Sequence, residues 1–234
     1  MTSKSAVDPG IVALVPMRHH SERVPGKNYR VLSGKPLYGY IIETLLACPE
    51  INQIVVNTDS PAIEEGISDQ YPSVKLIKRP DHLCGDMVQM NEILLYDIDQ
   101  VPADFYLQTH STNPLLRVET ISRAIQTFLA NRERTSLFSV TRVQTRLWSE
   151  DSKPLNHNPK ELLRTQDLPP IYEENSCIYL FNRNTLLESK NRLGERPRLF
   201  EIDPSEAWDI DDELDIAIVE SLLERRAELD SGEL

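Results

Sequence analysis

Short continuous apolar runs and helix-spaced apolar stripes alternate along the first part of the chain. Ile11-Val-Ala-Leu-Val-Pro16 is apolar without a break, the pattern of a strand buried on both faces of a parallel sheet. From Pro36 onward, Leu37, Tyr40, Ile41, Leu45 and Cys48 recur at helical spacing, with the proline tolerated in the first turn. Gln53 to Asp59 predicts a second strand ending in an acid, and Pro61 to Ile67 a short helix after it, which completes a βαβ unit. Further strands are predicted at Val74–Ile77, Phe105–Gln108 and Ser136–Val140, separated by helical patterns at 87–98 and 118–131. The second of these helices carries Val118, Ile121, Ile125, Phe128 and Leu129 on one face. Such alternation predicts a doubly wound, mostly parallel α/β sheet. It stops at about 142–203, where prolines and charges multiply around short strand-like pieces such as Cys177–Phe181, and this segment is expected to be an inserted arm. An amphipathic helix closes the chain from about Glu213, with Leu214, Ile218 and Leu222 beside Val219 and Leu223. Residues 1–234 are expected to form a single domain carrying that arm.

Composition narrows the function. With 40% hydrophobic and 26% charged residues the chain can build a core, and a net charge of −12 excludes wrapping nucleic acid by general attraction. Any phosphate site must therefore be a local basic island. The first ten residues lack the apolar run of a secretory signal, and no stretch approaches a membrane span, so a cytoplasmic protein without a membrane partner is expected. Cys48, Cys84 and Cys177 have neither disulfide-framework nor zinc spacing and read as inert thiols.

The island lies at Met17–Lys35, where Arg18, Arg23, Lys27, Arg30 and Lys35 face the single acid Glu22. It directly follows the first strand, where doubly wound sheets bind phosphates outside their carboxyl ends, and Ser21 and Gly26 add donors or backbone access. Gly26-Lys27 is followed by Asn28 rather than Ser or Thr, so this is no Walker loop, and G-x-G-x-x-G is absent. The second cluster, Pro204–Asp215, holds six acids and no base. Asp209 and Asp211, two residues apart, suit a hard cation such as Mg²⁺, while Asp211 or Asp212 could instead cap the following helix. Basic side chains plus a carboxylate-held divalent cation are what nucleotidyl transfer requires, because its transition state gathers charge on phosphate oxygens. Two other constellations are weaker. His19-His20 would point to opposite faces of an extended segment, and Ser111 with His110 and Asp104 lacks the hydrolase elbow.

Val15-Pro-Met-Arg-His-His-Ser-Glu-Arg-Val-Pro-Gly-Lys-Asn28 resembles the nucleotide-binding loop of the acylneuraminate cytidylyltransferases, the CMP-sialic acid synthetase family. The resemblance continues in order through Gly34–Leu37, Val55–Asp59, Arg79-Pro80, Leu107-Gln108, Arg164–Pro169, Glu174-Asn175 and Asp209–Asp211. It implies a Rossmann-like core, a dimerisation arm and a homodimer, and attack of an acidic sugar's anomeric hydroxyl on the α-phosphorus of CTP, releasing pyrophosphate. By matched position, Arg18, Ser21 and Lys27 would hold the triphosphate within the island that includes Arg23, Asn28 would help place the nucleotide, and Arg79 would reach it. Asp209 and Asp211 would bind Mg²⁺ and, with Arg18 and Lys27, form the catalytic set. Gln108, Arg164, Gln166, Asn175 and Tyr179 would lie at the sugar, part of the pocket coming from a neighbouring subunit. Departures leave the acceptor open among sialic, legionaminic-type, pseudaminic-type and octulosonic acids or a phosphonate: His19-His20 replaces a usual glycine pair, Ser176 a common glycine, and Gln108–Arg117 is longer and more polar than Pro-Thr-Ser-Pro-Leu-Arg. A UTP- or GTP-dependent transferase and a catalytically silent nucleotide-sugar binding protein are the rival readings.

Overall fold

The computed structural model describes residues 10–85, 87–131 and 135–231. In chain order the elements are β1 (Ile11–Met17), a small ribbon of β2 (Val31–Leu32) and β3 (Lys35–Pro36), α1 (Leu37–Leu46), β4 (Ile51–Thr58), α2 (Pro61–Gln70) and β5 (Lys75–Lys78). There follow α3 (Met90–Gln100), β6 (Phe105–Gln108), α4 (Val118–Leu129), β7 (Ser136–Val143), β8 (Ile171–Asn182), α5 (Arg183–Ser189), β9 (Pro197–Glu201) and α6 (Glu213–Ser231). Among the described residues, seven strands form one sheet in the order β5-β4-β1-β6-β8-β7-β9. Only β8 runs against its neighbours; the other pairs are parallel.

The unbroken apolar character of β1 follows from its two covered faces. Ile11, Ala13, Val15 and Met17 belong to a core with Ile41, Ile42 and Leu45 of α1, Ile63 and Ile67 of α2, and Ile121 and Ile125 of α4. Val12 and Leu14 pack on the opposite side with Leu94 and Ile98 of α3 and Leu186 of α5. The predicted doubly wound sheet is thus present. From β1 the chain winds outward through β4 to β5 and then returns to place β6 on the other side, so the order reverses between β1 and β6, where such sheets open a crevice at their carboxyl ends.

The segment expected as an arm divides in two. Ile171–Asn182 and Pro197–Glu201 are strands of the central sheet, and residues 144–170 lie outside it. Cys177 to Phe181 is fully apolar and buried because it sits between β6 and β7. The extra-sheet segment is organised by its own turns; Asn156 takes the Leu147 N–H at 2.8 Å and donates to Thr145 O at 2.6 Å.

α6 is rotated from the expected stripe. Ile216 and Val219 are buried beside Leu32, Leu37 and Leu115, whereas Leu214 is 67% exposed. The start of the helix fixes this rotation. Asp212 Oδ1 accepts from Leu214 N at 2.8 Å and Asp215 N at 3.1 Å, while Asp215 Oδ2 takes the N–H groups of Asp211 and Asp212 at 2.8 and 2.9 Å. Capping therefore falls to Asp212 and Asp215, and the Asp209 and Asp211 carboxylates stay outside it.

Candidate active site

Gly26 sets the geometry of the basic loop. Its φ of 67 lies in the left-handed region, and a Cβ there would meet the Tyr29 ring at 2.9 Å, so only glycine fits the turn that sends Lys27 inward. Lys27 Nζ donates to Ile210 O at 2.6 Å and lies 3.4 Å from Asp211 Oδ1; Arg23 Nη2 reaches the same carboxylate oxygen at 2.7 Å. The basic loop and the acidic cluster, 183 or more residues apart in sequence, are joined directly.

A cavity of about 260 Å³ opens here, at the carboxyl ends of β1 and β6. Arg18, Ser21, Lys27, Asn28 and Arg79 line it with His110, Ser111, Thr112, Asp209 and Asp211, and Leu83, Cys84, Val88 and Met90 add a more apolar wall. Asn28 faces protein as well as cavity: its amide donates to Arg18 O at 2.7 Å and its oxygen accepts from Ser111 Oγ at 2.7 Å. Arg79 is buried, with Nε on Asn57 Oδ1 at 2.8 Å and Nη2 on the Asn57 and Met17 carbonyls at 3.0 and 3.2 Å. It binds together the ends of β1 and β4. Burial lowers its pKa, and Asp59 and then Asp97 oppose that shift.

Asp209 is held by the loop after β6, since Ile210 N donates to Thr112 O at 3.0 Å. Its Oδ1 is buried without a hydrogen-bond partner among the described residues. Burial raises its pKa and Asp211 adds to the rise, while the Thr112 hydroxyl and Lys27 oppose it.

Asp209 and Asp211 also line a second cavity, of about 470 Å³, formed with Thr141 and Arg142 of β7, Glu173–Ser176 of β8, Trp208 and Asp215. Asn175 stands in its wall, with Oδ1 taking the Ser139 hydroxyl at 2.6 Å and Nδ2 buried without a partner among the described residues. Ser176 has φ 59, the conformation that explains why glycine is usual at this place in the family resembled. Tyr179 and Gln108 lie behind this wall. The Tyr179 hydroxyl donates to Glu174 Oε1, contacts Ser176 Oγ at 3.2 Å, and is pushed up to about 12, chiefly by burial.

Five expected residues, Arg23, Gln108, Arg164, Gln166 and Tyr179, line neither cavity within the single chain; Arg23 reaches the site only through Asp211, and Gln108 and Tyr179 stand behind the wall. Arg164 is exposed and forked onto Asp167 at 2.6 and 3.1 Å, and Gln166 is exposed beside it in the extra-sheet segment. The histidine pair departs from expectation too. The loop turns at His19, so the two rings touch at 4.7 Å rather than facing apart, while His19 stacks on Tyr29 and contacts Ser60 Oγ at 2.7 Å. No hydrolase triad forms: Ser111 is bonded to Asn28, and Asp104 lies at the opposite end of β6 from His110. Sequence reasoning missed Arg192, whose guanidinium lies 3.4 Å over the Tyr179 ring and bonds Gln108. Nothing in the spacing around Arg192 marks it, since its partners come from β6 and β8.

A basic cavity at the switch point of a doubly wound sheet, closed by two carboxylates and opening beside a second cavity, defines a nucleotide-handling α/β enzyme. The chain belongs to the cytidylyltransferase family, whose model matches residues 12–229, and is a nucleotidyltransferase. It is 30% identical over 231 residues to a Legionella pneumophila protein named CMP-N,N'-diacetyllegionaminic acid synthase, covering 93% of this chain and 98% of that protein. Over 213 residues it is 24% identical to a Campylobacter jejuni pseudaminic acid cytidylyltransferase, covering 86% and 90% of the two chains. A solved structure of CMP:2-keto-3-deoxy-manno-octonic acid synthetase with CTP shares the fold, with a TM-score of 0.71 at 18% identity over 93% of this chain and 99% of that one. No described helix is long and apolar enough to cross a membrane.

Proposed function

We propose that this cytidylyltransferase moves CMP from CTP to the anomeric hydroxyl of an acidic nonulosonic or octulosonic sugar and releases pyrophosphate. The observation that carries the reading is that Asp209 and Asp211 line both cavities, so a nucleotide in one and an acceptor in the other meet at the same pair of carboxylates. The acceptor class comes from the names of the relatives. In this reading Arg18, Ser21 and Lys27 hold the triphosphate, and Asn28 and Arg79 keep the loop and strand ends in register around it. The sugar hydroxyl oxygen attacks the α-phosphorus and releases its proton to water, the bond from that phosphorus to the bridging oxygen breaks, and the charge on the departing pyrophosphate is met by the basic loop.

Among the described residues no group of three or more metal-ligating side chains is present, but the donors at hand fit Mg²⁺. It commonly uses one or two carboxylates and completes its shell with phosphate oxygens and water. The buried, unpartnered Asp209 Oδ1 beside Asp211 is such a donor set. Bound there, Mg²⁺ would supply charge neutralisation for the phosphate oxygens. Arg23 and Lys27 supply the positive charge that faces Asp211 in the chain itself.

A homodimer and a cytoplasmic setting complete the proposal. The extra-sheet segment exposes Trp148, Leu155, Leu162 and Leu163, which supports burial against a second copy. Arg164 and Gln166 on that segment would then reach a neighbour's acceptor cavity, where a guanidinium pairs with the sugar carboxylate.

The test is Asp209→Asn. Turnover should fall by roughly two orders of magnitude or more, with CTP binding and thermal unfolding preserved; near-normal turnover would remove Asp209 from the reaction.

A further inference from the structure

Gln108 is buried, and its amide has one orientation that satisfies its neighbours. The Arg192 guanidinium, which carries only donors, approaches Gln108 Oε1 through Nη1 at 2.5 Å. That contact assigns the carbonyl oxygen to Arg192 and turns the amide nitrogen toward Thr109 O at 3.0 Å and His110 Nε2 at 2.9 Å. The flipped amide would set two donors against each other at Arg192. An amide NH₂ can only donate, so His110 Nε2 must accept, which leaves the ring's single proton on Nδ1. Nδ1 has no protein hydrogen bond among the described residues, and the ring lines the nucleotide cavity together with Lys27. Burial first, then Arg192 and Lys27, depress the His110 pKa to about 4, in keeping with a neutral ring.

We propose that His110 contacts the nucleotide, its Nδ1–H serving as an uncharged donor to a phosphate oxygen, with Gln108 and Arg192 as positioning residues that fix its tautomer. The identity of the ligand rests on the cytidylyl-transfer reading; the tautomer rests on contacts within the chain. An uncharged donor adds a directed hydrogen bond without adding positive charge beside Arg18, Lys27 and Arg79. It also gives Gln108, expected at the sugar, a role behind the nucleotide cavity.

The experiment reads the histidine ring nitrogens of isotope-labelled, full-length protein by long-range proton–nitrogen correlation, with His110 assigned from a His110→Gln sample. Without nucleotide, His110 should show a protonated Nδ1 and a bare Nε2, still neutral at pH 6.5, the ordinary histidine midpoint. Gln108→Glu replaces the amide donor with carboxylate acceptors and should place a proton on His110 Nε2; a ring that stays bare there would overturn Gln108 as a positioning residue. A wild-type ring protonated on Nε2, or half-charged at pH 6.5, would overturn the tautomer. Titration with CTP should then perturb the Nδ1–H signal, and His110→Phe should weaken CTP binding roughly tenfold or more. CTP binding that leaves both the signal and the variant's affinity unchanged would overturn the contact. Failure of wild-type protein to bind CTP would overturn the nucleotide reading and the contact with it, while the tautomer is judged separately from the nucleotide-free spectrum.

Discussion

Asp97 lies on α3 beneath the site, 1% exposed, with Oδ1 taking the Asn57 amide proton and Oδ2 without a partner among the described residues. Burial pushes its pKa up from 3.8 to about 7, against the opposing pull of Asn57 and Arg79. In the unfolded chain the carboxyl keeps its ordinary value, so the folded state binds this proton more tightly. The stability linked to it is fully present below pH 3.8 and is lost as pH rises through about 7. Across that window the loss amounts to about 4 kcal/mol. Asp97→Asn keeps an oxygen for Asn57 and removes the charge. We predict that its stability relative to wild type rises through the same window, by up to about 4 kcal/mol. That is an upper bound, because Arg79 loses one counter-charge and keeps the stronger one, Asp59. At about 2–4 °C per kcal/mol for a chain of this size, the variant should melt several degrees above wild type at neutral pH and lose that advantage in acid. Thermal unfolding of both proteins across the pH range isolates Asp97 in the difference curve. A difference that is flat in pH, or a variant less stable at every pH, would refute the reasoning.

Glu206 is buried and accepts from Arg117 N and Thr120 Oγ1, each at 2.9 Å, so Glu206→Ala strands two donors and should cost about 2–3 kcal/mol. A denaturant midpoint close to wild type would show that these bonds contribute little. Gly66 lies on α2 where a Cβ would sit 2.1 Å from the hydroxyl of buried Tyr38. Gly66→Ala would gain about 1 kcal/mol of helix propensity on an open surface, yet here it should lower the melting temperature; a rise would mean that Tyr38 moves aside freely.

The sheet interior was the most legible part of the fold. β1 is a continuous apolar run and β4 and β6 carry shorter ones, Ile54–Val56 and Phe105–Leu107, because both of their faces are covered, and the α1 and α4 stripes keep helical spacing because one face meets the sheet. Toward the sheet's other edge that signal fades. The first third of β8, Ile171–Glu174, carries charge and pairs with the outer end of β7, and β9 begins with proline and buries only Phe200. Both were therefore absorbed into an apparent arm. In the site, the basic loop and the acidic cluster were legible because each is contiguous, and the structure joins them through Lys27 and Asp211. The direction in which a side chain faces was not legible. A motif identifies Asn28, Gln108 and Tyr179, but only packing reveals that their polar atoms bond protein neighbours. Arg192 was hidden because its partners meet it only through the strand order. Leu214 was misassigned because the cap at Asp212, rather than the spacing of leucines, sets the rotation of α6.

Pyrophosphate release by the full-length protein with Mg²⁺ tests the account most directly, using each nucleoside triphosphate in turn against a panel of nonulosonic and octulosonic acids, phosphonates and neutral sugar phosphates. The account predicts release with CTP and an acidic sugar, and none when the acceptor is withheld. Release that prefers UTP or GTP, or that needs a neutral sugar phosphate, would contradict it.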